Sequence, residues 1–129
     1  MATILLDTSV IVDHLNGRRG RPAFLERLID DGHDLACCPV NITEVYAGLR
    51  LGEEVRTKRF IDSLECLTVT PAIAREAGLL RGEWRAKGHT LGLADVIIAA
   101  VALAHRAPLL TDNGKHFPEE GLVLWPLPE

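Results

Sequence analysis

With 129 residues, of which 47% are hydrophobic and 25% charged, the chain can bury a core without disulfide or metal staples and is expected to form one domain over residues 1–129. A formal charge of −4 excludes a protein that coats nucleic acid through bulk positive charge, although a local basic track stays open. No run of about twenty apolar residues is present to span a bilayer, and the opening Met1-Ala2-Thr3-Ile4 has no basic lead, so a cytoplasmic protein with no membrane contact is expected.

Ala2 to Leu6 is a short apolar run suited to a buried strand, and Asp7-Thr8-Ser9 supplies helix N-caps behind it. A helix follows from about Ser9 to Leu15, stops at Asn16-Gly17 and gives way to a basic loop over Arg18 to Arg21. Pro22 opens the next helix, with Phe24, Leu25, Leu28 and Ile29 on one face and Asp31-Gly32 as its end. Asp34 to Cys38 reads as a second strand, Pro39 as the start of a helix carrying Glu44, and Glu53 to Leu64 as another helix. Cys66 to Val69 is expected to be a third strand, closed by Thr70-Pro71.

From Pro71 to about Lys87, Ile73, Ala77, Leu80 and Trp84 recur at spacings that predict a long amphipathic helix. Gly88 to Gly92 is a loop. The helix after it, running to His105, has no polar side chain between Val96 and Ala104 and must be largely buried. Pro108 to Thr111 and Leu122 to Trp125 complete the pattern as fourth and fifth strands. Strands alternating with helices predict a three-layer α/β/α sandwich around a mostly parallel five-stranded sheet.

Four carboxylates stand among apolar or small residues: Asp7, Glu44, Asp95 and Asp112. Asp7 and Asp112 fall just past strand ends, where ligands bind in open α/β sheets, while Asp95 sits at the start of the buried helix. Each has a structural alternative, since Asp7 and Asp95 can cap helices, Asp112-Asn113-Gly114 can form a turn, and Glu44 can face solvent. Gathered in one cleft, the acids would repel unless a cation neutralised them, and oxygen donors of this kind suit Mg²⁺ or Mn²⁺ and phosphoryl chemistry. The five histidines show no i, i+4 pair, so zinc chemistry of the His-Glu-x-x-His kind is not expected. Cys37, Cys38 and Cys66 make no redox or metal pair and are expected to be small core hydrophobes.

Four motifs in order, Ile4-Leu5-Leu6-Asp7-Thr8-Ser9-Val10, Ile42-Thr43-Glu44-Val45-Tyr46-Ala47-Gly48-Leu49, Leu93-Ala94-Asp95-Val96-Ile97-Ile98-Ala99-Ala100 and Leu109-Leu110-Thr111-Asp112-Asn113-Gly114-Lys115-His116-Phe117, resemble the PIN domain. Within that family the chain looks like the VapC-type ribonuclease toxins of toxin–antitoxin pairs. The resemblance implies Mg²⁺-dependent cleavage of RNA phosphodiesters by a metal-bound water, with Mn²⁺ as a substitute. Asp7 and Asp95 would be direct ligands and Glu44 would complete the acidic pocket. Thr8, Ser9, Thr111 and Asn113 would support it, and Arg18, Arg19, Arg21, Arg81 and Arg85 are candidate RNA contacts.

The resemblance also implies a homodimer bound by a cognate VapB-type antitoxin, whose helix would lie among the apolar helices between Pro22 and Leu64 unless those stripes serve only the core. The chain departs from the family pattern at the fourth acid. Asp112 is offset by one position, Asn113 stands where the family has Asp or Asn, and His116 stands where the family has an acid before the phenylalanine. Asp112 or Asn113 fills that corner. A non-catalytic RNA- or protein-binding module of the same fold is the competing reading. A phospho-acceptor receiver domain fits less well, because Asp7 has no acidic neighbour and the third strand ends in Thr68-Val69-Thr70.

Overall fold

The computed structural model describes residues 1–118 and 121–128. In chain order the strands and helices are β1 (Thr3–Leu6), α1 (Thr8–Leu15), α2 (Arg21–Asp30), β2 (Asp34–Cys37), α3 (Pro39–Ala47), α4 (Glu54–Asp62), β3 (Glu65–Cys66), α5 (Pro71–Ala86), α6 (Leu93–His105) and β4 (Leu109–Leu110). A single tight helical turn covers Gly114–His116. The sheet has the order β3-β2-β1-β4 and all its pairs are parallel.

Side chains alternate across a strand, and here both faces are covered, so each strand feeds two cores. On one side Ile4, Leu6, Leu35, Cys37 and Leu110 pack with Val10 and Ile11 of α1, Phe24, Leu25 and Leu28 of α2, and Ile61 of α4. On the other side Leu5, Ala36, Cys38 and Leu109 meet Ile73, Ala77 and Trp84 of α5 and the buried run of α6. Trp84 is 1% exposed, and fully burying a side chain of this kind stabilises by roughly 1.5–3 kcal/mol. α6 is buried from Val96 to Ala102 apart from Ile97, as its unbroken apolar run requires.

The expected fifth strand is reduced to one parallel bridge, Leu109 to Leu124. The Leu109 N–H donates to Val123 O (2.9 Å) and the Trp125 N–H to Leu109 O (2.8 Å), after which Pro126 offers no donor for a longer ladder. Val123 at 66% exposure lacks the covering layer that a buried edge strand needs. The third strand is likewise shorter than expected and lies earlier, at Glu65–Cys66. The chain keeps one further sheet bond, from Leu67 N–H to Cys37 O (2.8 Å), and then leaves toward Pro71. Cys66 is exposed on this edge strand, whereas Cys37 and Cys38 are buried core thiols as expected, with burial pushing Cys37 up to about 12.

The chain runs from β1 outward to β2 and β3 and then crosses back to place β4 on the other side of β1. That reversal leaves a crevice beyond the carboxyl ends of β1 and β4.

Candidate active site

Asp7 directly follows β1 and is the N-cap of α1. Its Oδ1 accepts from the Thr8 N–H (2.9 Å) and its Oδ2 from the Thr111 hydroxyl (2.7 Å). The Asp7 N–H in turn donates to Leu110 O (2.8 Å), so β1 and β4 together hold the residue in place. The side chain is buried, with the residue 4% exposed. Burial pushes its carboxyl above the ordinary range; the bonds from Thr111 and Thr8 pull it down, and the charges of Asp95 and Glu44 push it up again.

Glu44 lies within α3 on a solvent-exposed face, and its Oε1 accepts from the Thr8 hydroxyl (2.6 Å). That hydroxyl is oriented from behind by Asn41, whose Nδ2 donates to Thr8 Oγ1 (2.9 Å) while its Oδ1 accepts from the Cys38 N–H (2.9 Å). Asn41 is fully buried and was not singled out from the sequence. The signal that could have found it is an amide residue three positions after the N-cap of a proline-opened helix, the position that reaches back to the N-cap N–H in a capping box.

Asp95, in the first turn of α6, is half-buried and carries the charge that acts on Asp7. His116 Nε2 stands 3.6 Å from Asp95 Oδ2, so an imidazole occupies the corner beside Asp95 where the family pattern has an acid. Thr111 is buried and bridges Asp7 to the following loop by accepting from the Asn113 N–H (3.0 Å). Asn113 itself is exposed and lines the cleft beyond the acids. Ser9, expected to support the site, instead keeps its hydroxyl buried without a hydrogen-bond partner among the described residues.

Asp112 departs from its expected role as a catalytic acid. Its Oδ1 accepts from Arg21 Nη2, both side chains are largely buried, and Arg19 Nη1 lies 3.8 Å from the same oxygen. A carboxylate already neutralised by a guanidinium is a poor cation ligand, so Asp112 is an anchor for the loop before α2. Arg19 and Gly20 there take consecutive left-handed conformations (φ 55° and 66°), turning the chain so that Arg21 heads α2 beneath Asp112.

Arg21, 6% exposed, is therefore no surface contact for RNA. Arg81 is also engaged, its Nε donating to Leu91 O (3.0 Å) and tying α5 to the loop before α6. Arg18 and Arg85 are exposed, and Arg19 pairs loosely with Asp13 and Asp112.

Asp7, Glu44 and Asp95 thus form an acidic pocket with no lysine or arginine ion-paired to any of them among the described residues. No three His, Cys, Asp or Glu side chains among those residues close into a ready-made ligand cage. This looser set fits a hard ion such as Mg²⁺, which binds through one or two carboxylates and keeps several waters, better than an ion that needs an all-protein cage. Asp7 and Asp95 are the residues that could hold such an ion, and Glu44 stands beside them.

Parallel strands with Asp7 at the carboxyl edge, two further acids beside it, and hydroxyl and amide donors bracing it define an α/β/α protein with an acidic site at its strand ends. The chain belongs to the PIN domain family, whose model matches residues 4–119. It is 35% identical over 114 residues to ribonuclease VapC19 of Mycobacterium tuberculosis, an alignment covering 88% of this chain and 91% of that one. It is 34% identical over 115 residues to ribonuclease VapC10 of the same organism, covering 89% and 86%. Among solved structures it superposes on the VapBC2 complex of Rickettsia felis bound to a promoter DNA fragment, with TM-score 0.84 and 25% identity over 95% of this chain and 97% of that one. Among the described residues no helix is long and apolar enough to cross a membrane.

Proposed function

We propose that this chain is a metal-dependent endoribonuclease toxin of a VapBC-type pair, using Mg²⁺, with Mn²⁺ able to substitute, to cleave RNA phosphodiesters with an activated water. The observation that carries this reading is the Asp7 carboxylate, buried at the end of β1 beside two further acids and matched by hydroxyl and amide donors only. The bound ion would lower the pKa of the attacking water and offset charge on the phosphate.

Thr111 and the Thr8 amide fix both oxygens of Asp7, and the Thr8 hydroxyl donates to Glu44 and holds it beside Asp7. A buried carboxylate desolvated in this way is held ready for a cation and costs little reorganisation when one binds. The kinship with VapC19 and VapC10 and the fold match to a VapBC complex support the same reading. By the same kinship the partner is a VapB-type antitoxin, which would silence the toxin by presenting a cation to the acidic pocket, and the toxin itself is a homodimer.

Purified protein with Mg²⁺ or Mn²⁺ is expected to cut RNA, and Asp7→Ala or Asp95→Ala to lose roughly two to three orders of magnitude in rate while remaining folded by circular dichroism. Undiminished cutting by both variants would overturn the site. Absence of Mn²⁺ binding by calorimetry, together with no cleavage of any RNA pool, would leave a binding module of the same fold.

A further inference from the structure

A wide cavity lies beside the acidic pocket. It has a volume of about 1450 Å³ and shares Thr111 and Asn113 with the site. Small-molecule pockets run to roughly 300–1,000 Å³, so this one is sized for a polymer segment. Its charged lining among the described residues is Lys87, Lys115 and Asp112, joined by the imidazoles of His89 and His116. Arg21 neutralises Asp112, and Lys115 adds a positive charge to the wall, in a chain whose net charge is −4. Trp125 contributes an apolar ring to the same cavity, half-buried and in a T-shaped contact with His33 (centroids 4.8 Å apart).

We infer that this cleft is the path of a single-stranded RNA segment flanking the scissile phosphate, with Lys115 and His89 on its phosphates and Trp125 stacked on a base. The inference rests on the nuclease reading and adds to it where the substrate lies. A single strand presents anionic phosphates along one side and flat apolar bases along the other, matching a cleft with cations and an indole, whereas a duplex hides its bases. The arginines expected from the sequence to meet RNA are partly spent elsewhere, Arg21 on Asp112 and Arg81 on Leu91, so the electrostatic attraction shifts to this cleft.

The test uses the catalytically silenced Asp7→Asn protein and a fluorescein-labelled single-stranded RNA, with anisotropy read across a salt series. Lys115→Glu is expected to weaken binding about tenfold and to lower the slope of log affinity against log salt by roughly one. Lys115→Arg should restore both, Arg59→Glu on α4 should change neither, and the same sequence as a duplex should bind more weakly. Circular dichroism and Tm establish that each variant is folded. Binding by Lys115→Glu equal to that of its Asp7→Asn parent would overturn the cleft and leave the nuclease reading intact. Displacement of the RNA by polyglutamate at equal charge concentration would also overturn it, marking the cleft as a surface for acidic peptides. If the Asp7→Asn protein binds no RNA and the unmutated protein cuts none, the nuclease reading falls and this inference with it.

Discussion

β1 and β4 end side by side, each is followed within two residues by an aspartate, and the two aspartates have opposite surroundings. Asp112 meets a guanidinium from its own chain, whereas Asp7 meets only a hydroxyl, an amide and the fields of two more acids. Both are buried, so exposure does not distinguish them. The counter-charge does. A buried carboxylate with an internal cation has its charge matched and becomes an anchor, while one without it stays raised in pKa and gains from an ion supplied from outside. Position at a strand end is therefore not sufficient to make a carboxylate catalytic in this fold.

Breaking the charge-matched corner is expected to have the largest effect on stability. Arg21→Met would leave Asp112 buried without its partner and should cost about 3–5 kcal/mol in urea unfolding, with Arg21→Met/Asp112→Leu regaining most of it. A single variant as stable as the parent would show that Asp112 draws its neutralisation from elsewhere, and the contrast with Asp7 would lose its basis.

A smaller effect is expected from the donors around the corner that lacks a counter-charge. Thr111→Val keeps the side-chain shape but removes the bond that holds Asp7 Oδ2, and should weaken Mn²⁺ binding roughly 10–100-fold by calorimetry. Because that bond lowers the Asp7 pKa, its loss raises it, so the weakening should grow as pH falls. An unchanged affinity would mean that Thr111 only joins β4 to β1.

The smallest effect concerns Asp7 without metal. Its folded pKa is raised above the unfolded value, so the folded state binds the extra proton in the window between the two. Stability attributable to this group therefore falls as pH rises through that window, and the cost persists at neutral pH. Asp7→Asn, which keeps a competent helix N-cap, should raise Tm by a few degrees at pH 7 in chelator and by nothing at a pH below the unfolded carboxylate range. A lower Tm at neutral pH would mean that the bonds from Thr111 and Thr8 outweigh the burial.

Much of the fold was legible because its signals are local. The apolar runs of β1, β2 and α6, the prolines opening α2, α3 and α5, and the glycine-bounded loops each declare themselves within a few residues. The fifth strand misled for a nonlocal reason: Leu122 to Trp125 has strand chemistry, but Val123 lies where no layer covers it and Pro126 ends the ladder. Cys66 reads as a core thiol until the edge position of β3 exposes it. In the pocket, Asp7, Glu44 and Asp95 were legible from charge set against apolar flanks. Asn41 was not, because an asparagine inside a short helix carries no such contrast, and His116 was marked only by its place in the family pattern.

What the sequence determined by itself is the alternation of strand and helix, the two-sided burial of the sheet and the presence of more acids at strand and helix ends than capping requires. Hydrophobic periodicity and cap chemistry act over a turn or two, so they are written in neighbouring residues. Only the tertiary structure decided which acid keeps its charge unmatched. Arg21 and Asp112 lie 91 positions apart, and Thr111 reaches Asp7 across 104. Contacts over such separations arise when β4 crosses back beside β1, and no local pattern encodes the partner each carboxylate will then meet.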